Sequence, residues 1–502
     1  MMSIVSKSIL ILRKAAALML LPLLAWSCQL VTDDFDDETA NISNATQYIN
    51  ITISVSASES PVTRANEPKG GEYGDETEMG SDDPENKVNN ITLIFFKDAA
   101  GLNTTATPSP EVLFVKKYDV HEATSTEVVY PKNHEHKGTE PEGYPTKEVI
   151  YTTGNQRLEE TALEVGETYQ VLVVANADPD IRVGDKVNSA QTDGRPAVRD
   201  MVLNHAFTSV EGSITNVNNF VMTSENPASV TLSSPTIIEE GNKFIYYFDC
   251  IHIERLAARI DYCTEGANNY DETKGGYVYL VGSSSDRFVV TKVTPFNLYN
   301  EPEYLFKRVQ NAWSGTITTT YLGDETTDNT NIANNYVVDP NTAQKDASHT
   351  FTYLSPIAET MSTDYEQMMN SDQNKNRANQ NIIIAYAREN TLMPTSPLKK
   401  YATGLAFEGD YYVNGTGTPE KRVYYHYLRH QGENEQGTAY QAKRWADINE
   451  TDACGDRDTP MNYGIVRNNI YRVKISGITD DGLNLNIKVK KWDKFEHATI
   501  YM

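Results

Sequence analysis

The sequence predicts a mostly β protein: a two-domain antiparallel β-sandwich chain with few short helices. Three observations point there. Apolar and polar residues alternate with a period of two in runs at both ends of the chain. Clusters of Pro, Gly, Asn and Asp separate those runs. The length, 502 residues, exceeds what one hydrophobic core normally serves.

Residues 1–27 read as an address rather than as part of the fold. Lys7, Arg13 and Lys14 form a basic segment and Ala15 to Ala25 a short apolar one. Cys28 then follows Ala25-Trp26-Ser27, similar to a bacterial lipoprotein signal, although the bulky Trp26 stands where such signals carry a small residue. The expectation is lipidation of Cys28; the alternative is an ordinary secretory signal with an incidental cysteine. Asp33, Asp34, Asp36, Asp37 and Glu38 make an acidic tether.

The first strand is expected over 49–57. Ile49, Ile51, Ile53, Val55 and Ala57 alternate with Asn50, Thr52, Ser54 and Ser56, as a half-buried strand requires. Residues 58–86 hold three prolines and four glycines, and Arg64 is the only arginine between Arg13 and Arg157. A protease specific for arginine would cut between Arg64 and Ala65 and detach the first strand. The expected divisions are therefore a signal over 1–27, a propeptide over 28–64 and a linker over 65–86. A first sandwich follows over 87–245 and a second over 246–502.

In the first domain Val88 to Phe96, Glu111 to Tyr118 and Lys147 to Thr152 read as strands. Tyr169 to Ala177 is nearly all apolar and reads as a strand buried on both faces. Residues 197–206 suggest a short helix. The second domain is entered through Lys243 to Cys263 and continues with strands at Tyr277 to Gly282, Arg287 to Val293, Asn381 to Ala387 and Arg422 to Leu428. It closes on Ile470 to Ile478 and Leu483 to Trp492, joined by Thr479-Asp-Asp-Gly, a hairpin signal. In the last run Leu483, Leu485, Ile487 and Val489 alternate with Asn484, Asn486, Lys488 and Lys490.

Charge and chemistry exclude several classes of function. The formal net charge is −25, and −28 once Lys7, Arg13 and Lys14 leave with the signal, so nucleic acid, which needs a basic footprint, is not an expected partner. Cys250, Cys263 and Cys454 remain besides Cys28 and support at most one disulfide, its pairing left open. His134 and His136 lack a third ligand, and His426 and His430 read as packing or loop residues. Asp324 to Asn331 lacks the glycine of a calcium loop. No nucleophile elbow, zincin helix or phosphate loop occurs. A non-enzyme without metal or cofactor is expected. Thirty tyrosines leave a glycan-binding surface as a rival reading.

Six blocks in order carry a resemblance. They are Asn86-Lys-Val-Asn-Asn-Ile-Thr-Leu-Ile-Phe-Phe-Lys, Tyr169-Gln-Val-Leu-Val-Val-Ala-Asn-Ala, Phe220-Val-Met-Thr-Ser, Ile253-Glu-Arg-Leu-Ala-Ala-Arg-Ile-Asp, Val423-Tyr-Tyr-His-Tyr-Leu-Arg-His and Tyr463-Gly-Ile-Val-Arg-Asn-Asn-Ile-Tyr-Arg-Val-Lys-Ile. With them the chain resembles the fimbrillins, the type V pilins of anaerobic Gram-negative bacteria, within them the short-fimbria major-subunit branch. The resemblance implies sandwiches of transthyretin-like or Greek-key type and a lipidated precursor at the outer membrane. It further implies cleavage at Arg64-Ala65 and a neighbouring subunit whose C-terminal strand fills the vacated groove. The implied partners are copies of the chain, other fimbrial subunits and a host or bacterial surface ligand. The donor would lie within 483–502: either the strand carrying Leu483, Leu485, Ile487 and Val489, or the tail carrying Phe495, Ile500 and Tyr501. The tail, which no core strand claims, is the favoured one. A tip, accessory or anchor subunit, and a monomeric glycan-binding lipoprotein, are the alternatives.

Overall fold

A computed structural model describes residues 46–54, 87–97, 109–122, 150–204, 220–224, 228–232, 237–239, 243–282, 284–309, 312–313, 337–359, 381–393, 395–428, 440–449, 463–479 and 482–491. The strands in chain order begin with β1 (Thr46–Ser54), β2 (Asn90–Phe96), β3 (Val112–Asp119), β4 (His121–Glu122), β5 (Ile150–Thr152), β6 (Gln156–Arg157), β7 (Thr168–Ala175) and β8 (Val202–Leu203). Next come β9 (Met222–Ser224), β10 (Ala228–Thr231), β11 (Ile237–Glu239), β12 (Lys243–Arg255), β13 (Ala258–Cys263), β14 (Asn269–Asp271), β15 (Gly276–Leu280) and β16 (Arg287–Phe296). The remainder are β17 (Glu303–Tyr304), β18 (Arg308–Val309), β19 (Ala312–Trp313), β20 (Asn381–Ala387), β21 (Gly404–Tyr412), β22 (Glu420–Tyr427), β23 (Tyr440–Ala442), β24 (Asn469–Ile478) and β25 (Leu483–Lys491). Among the described residues one α-helical turn, Leu398–Tyr401, interrupts them. Among the described residues no helix is long and apolar enough to cross a membrane.

The chain forms two compact units. One comprises Met1–Asn50, Asn155–Gly166 and Leu232–Tyr247. Its described part holds the start of β1, β6, β11 and the start of β12. β11 pairs antiparallel with β12 through Ile237↔Ile245, and Leu158, Leu163, Leu232, Phe244, Ile245 and Tyr246 are buried. The expected domain boundary at 245/246 falls inside β12, a single strand of 13 residues.

The other unit comprises Ile51–Gly154, Glu167–Thr231 and Phe248–Met502. Here β2 lies between β3 and β7. Every residue from Ile91 to Phe96 is buried, as is the run Val171–Ala175, so both strands are covered on both faces, as the mostly apolar run of β7 predicts for that strand. Ile94, Phe96, Leu172 and Val174 pack with Ile181, Val187, Val198, Met201 and Leu305. Phe95 meets Phe114 and Tyr169. β7 stops at Ala175 because Asn176 turns to φ +59 and its carboxamide caps the carbonyls of Lys87 and Phe220.

The rest of this unit is a sandwich of two five-stranded sheets, in the orders β20-β13-β24-β25-β23 and β14-β15-β16-β21-β22. Tyr262 of β13 joins the layers, touching Tyr277 of β15 and Phe407 of β21 edge-on. All pairings are antiparallel except β13 with β24, which run parallel from Arg259↔Ile470 to Cys263↔Lys474. Parallel neighbours need a long crossover, and over 200 residues separate these two.

Two features depart from expectation. The helix expected over 197–206 is a three-residue 3-10 turn, Val198–Asp200, followed by β8. Its amides are used elsewhere: Val198 N–H donates to the Lys186 carbonyl and Arg199 N–H to that of Val187, while Val198 and Met201 point into the core. β21 was not legible as a strand because Gly404, Gly409 and Asp410 are poor strand formers. A Cβ on Gly404 would lie 2.2 Å from the Phe296 ring and one on Gly409 would lie 2.2 Å from the Val289 carbonyl, so close approach demands glycine.

Candidate functional site

The seat of β1 is the candidate site, since β1 is the strand that cleavage at Arg64 would release. In strand order it lies between β12 and β5. Its odd residues face the core as the alternation predicts: Ile49, Ile51 and Ile53 are each at most 1% exposed. Residues 51–54 pair antiparallel with β5 through Thr52↔Thr152, Ile53↔Tyr151 and Ser54↔Ile150. Residues 48 and 49 pair with β6 through Tyr48↔Arg157 and Ile49↔Gln156.

Two residues of β1, Asn50 and Ile51, therefore face three on the opposing segment, Thr153, Gly154 and Asn155. This is a β-bulge, and Gly154 supplies the positive φ of +63 that such an insertion uses. Ile51 N–H donates to the Thr153 hydroxyl at 3.2 Å while Thr153 N–H donates to the Ile51 carbonyl at 3.1 Å. Gly154 N–H donates to the Thr152 hydroxyl at 3.0 Å. Asn50, only 4% exposed although it is an even residue, donates through Nδ2 to Oδ1 of Asn155 at 3.1 Å. Nothing in the alternation singled out Asn50; an isolated glycine flanked by strand residues was the available signal for the bulge.

Val55, Ala57, Cys28, Arg64 and Ala65 lie outside the described residues, as do Phe495, Ile500 and Tyr501. The first of the two candidate donors is described. β25 pairs with β24 from Asn469↔Lys491 to Ile478↔Leu483, with Val489 opposite Tyr471, and with β23 through Tyr440↔Leu485. Leu483, Leu485 and Ile487 are buried. The Thr479–Gly482 turn closes this hairpin with Thr479 N–H donating to Gly482 at 2.9 Å, as the Asp-Gly signal predicted. Withdrawing β25 would forfeit about 1.5–3 kcal/mol for each large apolar side chain and strip a central strand from its sheet.

Sequence reasoning missed a buried ionic cluster where two of the six blocks meet. Asn468, held at φ +55, donates its N–H to the Ala257 carbonyl at 2.9 Å and accepts from Arg255 N–H at 3.3 Å. Arg259 grips Asp261 with two bonds of 2.9 and 3.0 Å, and Arg472 reaches the same carboxylate at 3.3 Å. Lys307 pairs with Glu254 at 2.6 Å, and Arg467 with Glu389 at 2.7 Å while also donating to the Leu305 carbonyl at 3.0 Å. Glu303 accepts the Glu389 N–H at 3.2 Å; burial, opposed by Arg467 and reinforced by Glu389, pushes its carboxyl up to about 7. Charged letters inside strands ordinarily mark a solvated face, and apart from Arg259 with Asp261 the partners stand 53 to 213 residues apart, so they were not legible.

Among the described residues no group of three or more His, Cys, Asp or Glu side chains could hold a metal ion. His426 is buried on β22, Cys263 is buried and free, and His134, His136, His430, Cys454 and Asp324 to Asn331 lie outside the described residues. Tyr169, Tyr262, Tyr277, Tyr299, Tyr401, Tyr424 and Tyr471 are fully buried and serve the core rather than a sugar-stacking surface.

No family model matches the chain, and no curated protein matches it. Solved structures do. A fimbrilin (FimA) of Porphyromonas gingivalis is 13% identical over 89% of this chain and 98% of its own, with a TM-score of 0.39. The tip fimbrial protein Mfa3 of the same organism, with a C-terminal truncation, is 12% identical over 89% and 100%, with a TM-score of 0.35. A fimbrial assembly protein of Parabacteroides distasonis is 9% identical over 88% and 97%, with a TM-score of 0.33.

Proposed function

We propose that the chain is a structural subunit of a cell-surface fimbria that supports adhesion. It is exported as a lipoprotein through Cys28, activated by proteolysis between Arg64 and Ala65, and polymerised when the C-terminal tail of a second copy takes the place of β1. The observation that carries this reading is that β1 is a core strand joined to the next described residue, Lys87, by a segment whose one arginine is Arg64. A strand so deeply seated is ordinarily continuous with its domain; here a single cut separates it. Its loss uncovers the ground under Ile49, Ile51 and Ile53, about 1.5–3 kcal/mol for each side chain, and leaves the edges of β12 and β5 without a partner. Such a gap recruits any strand of matching period. The pairing of β25 within its own sheet supports residues 493–502, which follow it, as the donor.

The test is to treat purified full-length precursor with an arginine-specific protease and follow it by denaturing electrophoresis without boiling. The reading predicts a new N-terminus at Ala65 and a ladder of multimers that resists detergent. Clean cleavage at Arg64 that leaves only monomer under all conditions refutes it.

A further inference from the structure

Two arginines stand together where the Val198–Asp200 turn meets β17 and β18, and they share one carboxylate. Arg308 is ion-paired with Asp200, whereas Nε of Arg199 lies 3.7 Å from the same Asp200 oxygen, beyond hydrogen-bond reach. Both side chains are largely buried, at 13% exposure for Arg199 and 11% for Arg308. Even so, Nε and Nη1 of Arg199 and Nε of Arg308 are enclosed without a hydrogen-bond partner. Burial, reinforced by the Arg199 charge, pulls Arg308 down to about 10, and burial lowers Arg199 as well. Among the described residues no second carboxylate reaches the pair. The acids that act on the adjoining Tyr304 and Lys307 have cations of their own, Asp339 holding Lys345 and Glu254 holding Lys307.

One positive charge is therefore left over in a chain whose formal net charge is −25. A buried cation without a counter-charge, and buried donors without acceptors, are both costly. The place is also open to something that could answer them. Arg308 lies over the Tyr304 ring, 5.2 Å from its centroid. Tyr304 pairs with Val202 across β17 and β8, so the two side chains leave on the same face, and Val202 is 44% exposed.

We infer that Arg199 and Arg308 form a binding site for a small monoanionic carboxylate, entered over Val202 and Tyr304. Water could accept from the free N–H groups but would leave the charge standing. A carboxylate does both, through the charge-assisted bonds for which the guanidinium fork is suited. A monoanion brings the two arginines and Asp200 to neutrality, whereas a dianion such as phosphate overshoots it. Asp200 is then the internal competitor of the ligand, since its carboxylate uses the same donors. The site owes nothing to the exchange of β1.

Trifluoroacetate, followed by its fluorine NMR line width on the uncut full-length chain at constant ionic strength in chloride, tests this. Saturable broadening is expected, relieved by acetate more strongly than by inorganic phosphate at pH 8. Arg199→Gln is expected to weaken the affinity on the order of tenfold, the effect of losing one charged hydrogen bond. Arg182→Gln, at an exposed arginine paired with Asp180, should leave it unchanged. Asp200→Asn, which withdraws the competitor, should tighten it. Absence of saturable broadening, an affinity that Arg199→Gln does not move, or stronger displacement by phosphate overturns the inference. If circular dichroism shows Arg199→Gln unfolded, Asp200→Asn decides: tighter binding upholds the site, and unchanged or weaker binding overturns it.

Discussion

Ile51 is buried at 1% exposure beside two other isoleucines. On the proposed exchange it occupies a position that only the precursor needs, because another copy's residues would complete that core after assembly. Ile51→Ala is therefore expected to cost the precursor about 2–5 kcal/mol in urea unfolding, as for other large-to-small core changes, while polymer made from it keeps wild-type resistance to detergent. Equal losses in both forms would mean that β1 stays with the subunit. Glu303 gives a second residue-scale prediction. Its folded carboxyl is raised from 4.5 to about 7, so the folded state holds a proton that the unfolded chain releases. That contribution to stability is complete below about pH 4.5 and is lost as pH rises to about 7. Glu303→Gln keeps an acceptor for the Glu389 N–H without the charge. Its advantage over wild type should grow from near zero at pH 4.5 to roughly 3 kcal/mol at pH 8. Urea midpoints at the two pH values check this, and a constant difference contradicts it.

At the scale of elements, the runs that alternate cleanly were legible in the sequence: β1, β2, β7, β24 and β25 lie within a few residues of where period and turn signals put them. What could not be read was set by distant partners. β21 is a strand because Phe296 and Phe288 need glycines opposite them, and the bulge exists because β5 and β6 must both meet one strand. Likewise Arg255, Arg259 and Arg472 look solvated in sequence yet are buried, Arg255 beside the distant Asn468, and Arg259 and Arg472 on Asp261, which is two residues from the one and 211 from the other. On the proposed exchange the tail serves a neighbouring copy, so deleting residues 493–502 should leave the unfolding transition of the precursor within about 0.5 kcal/mol of wild type. Cleaved protein lacking them should fail to extend. Extension at the wild-type rate would move the donor elsewhere.

For the whole molecule, the structure shows β1 in the core, and the proposal adds that the segment joining β1 to Lys87 is cut at Arg64. The candidate site was half visible beforehand. The burial of Ile49, Ile51 and Ile53 could be read from their period, whereas the contacts of Asn50 with Asn155 and of Ile51 with Thr153 needed coordinates. A formal net charge of −25 opposes chance association between copies, so the proposed assembly must draw on a specific gain such as refilling the seat of β1. N-terminal sequencing of the protein sheared from the cell surface, together with its migration in detergent without heating, tests this most directly. The account predicts chains beginning at Ala65 and running as multimers. Chains that begin at a lipidated Cys28 and run as monomer would contradict it.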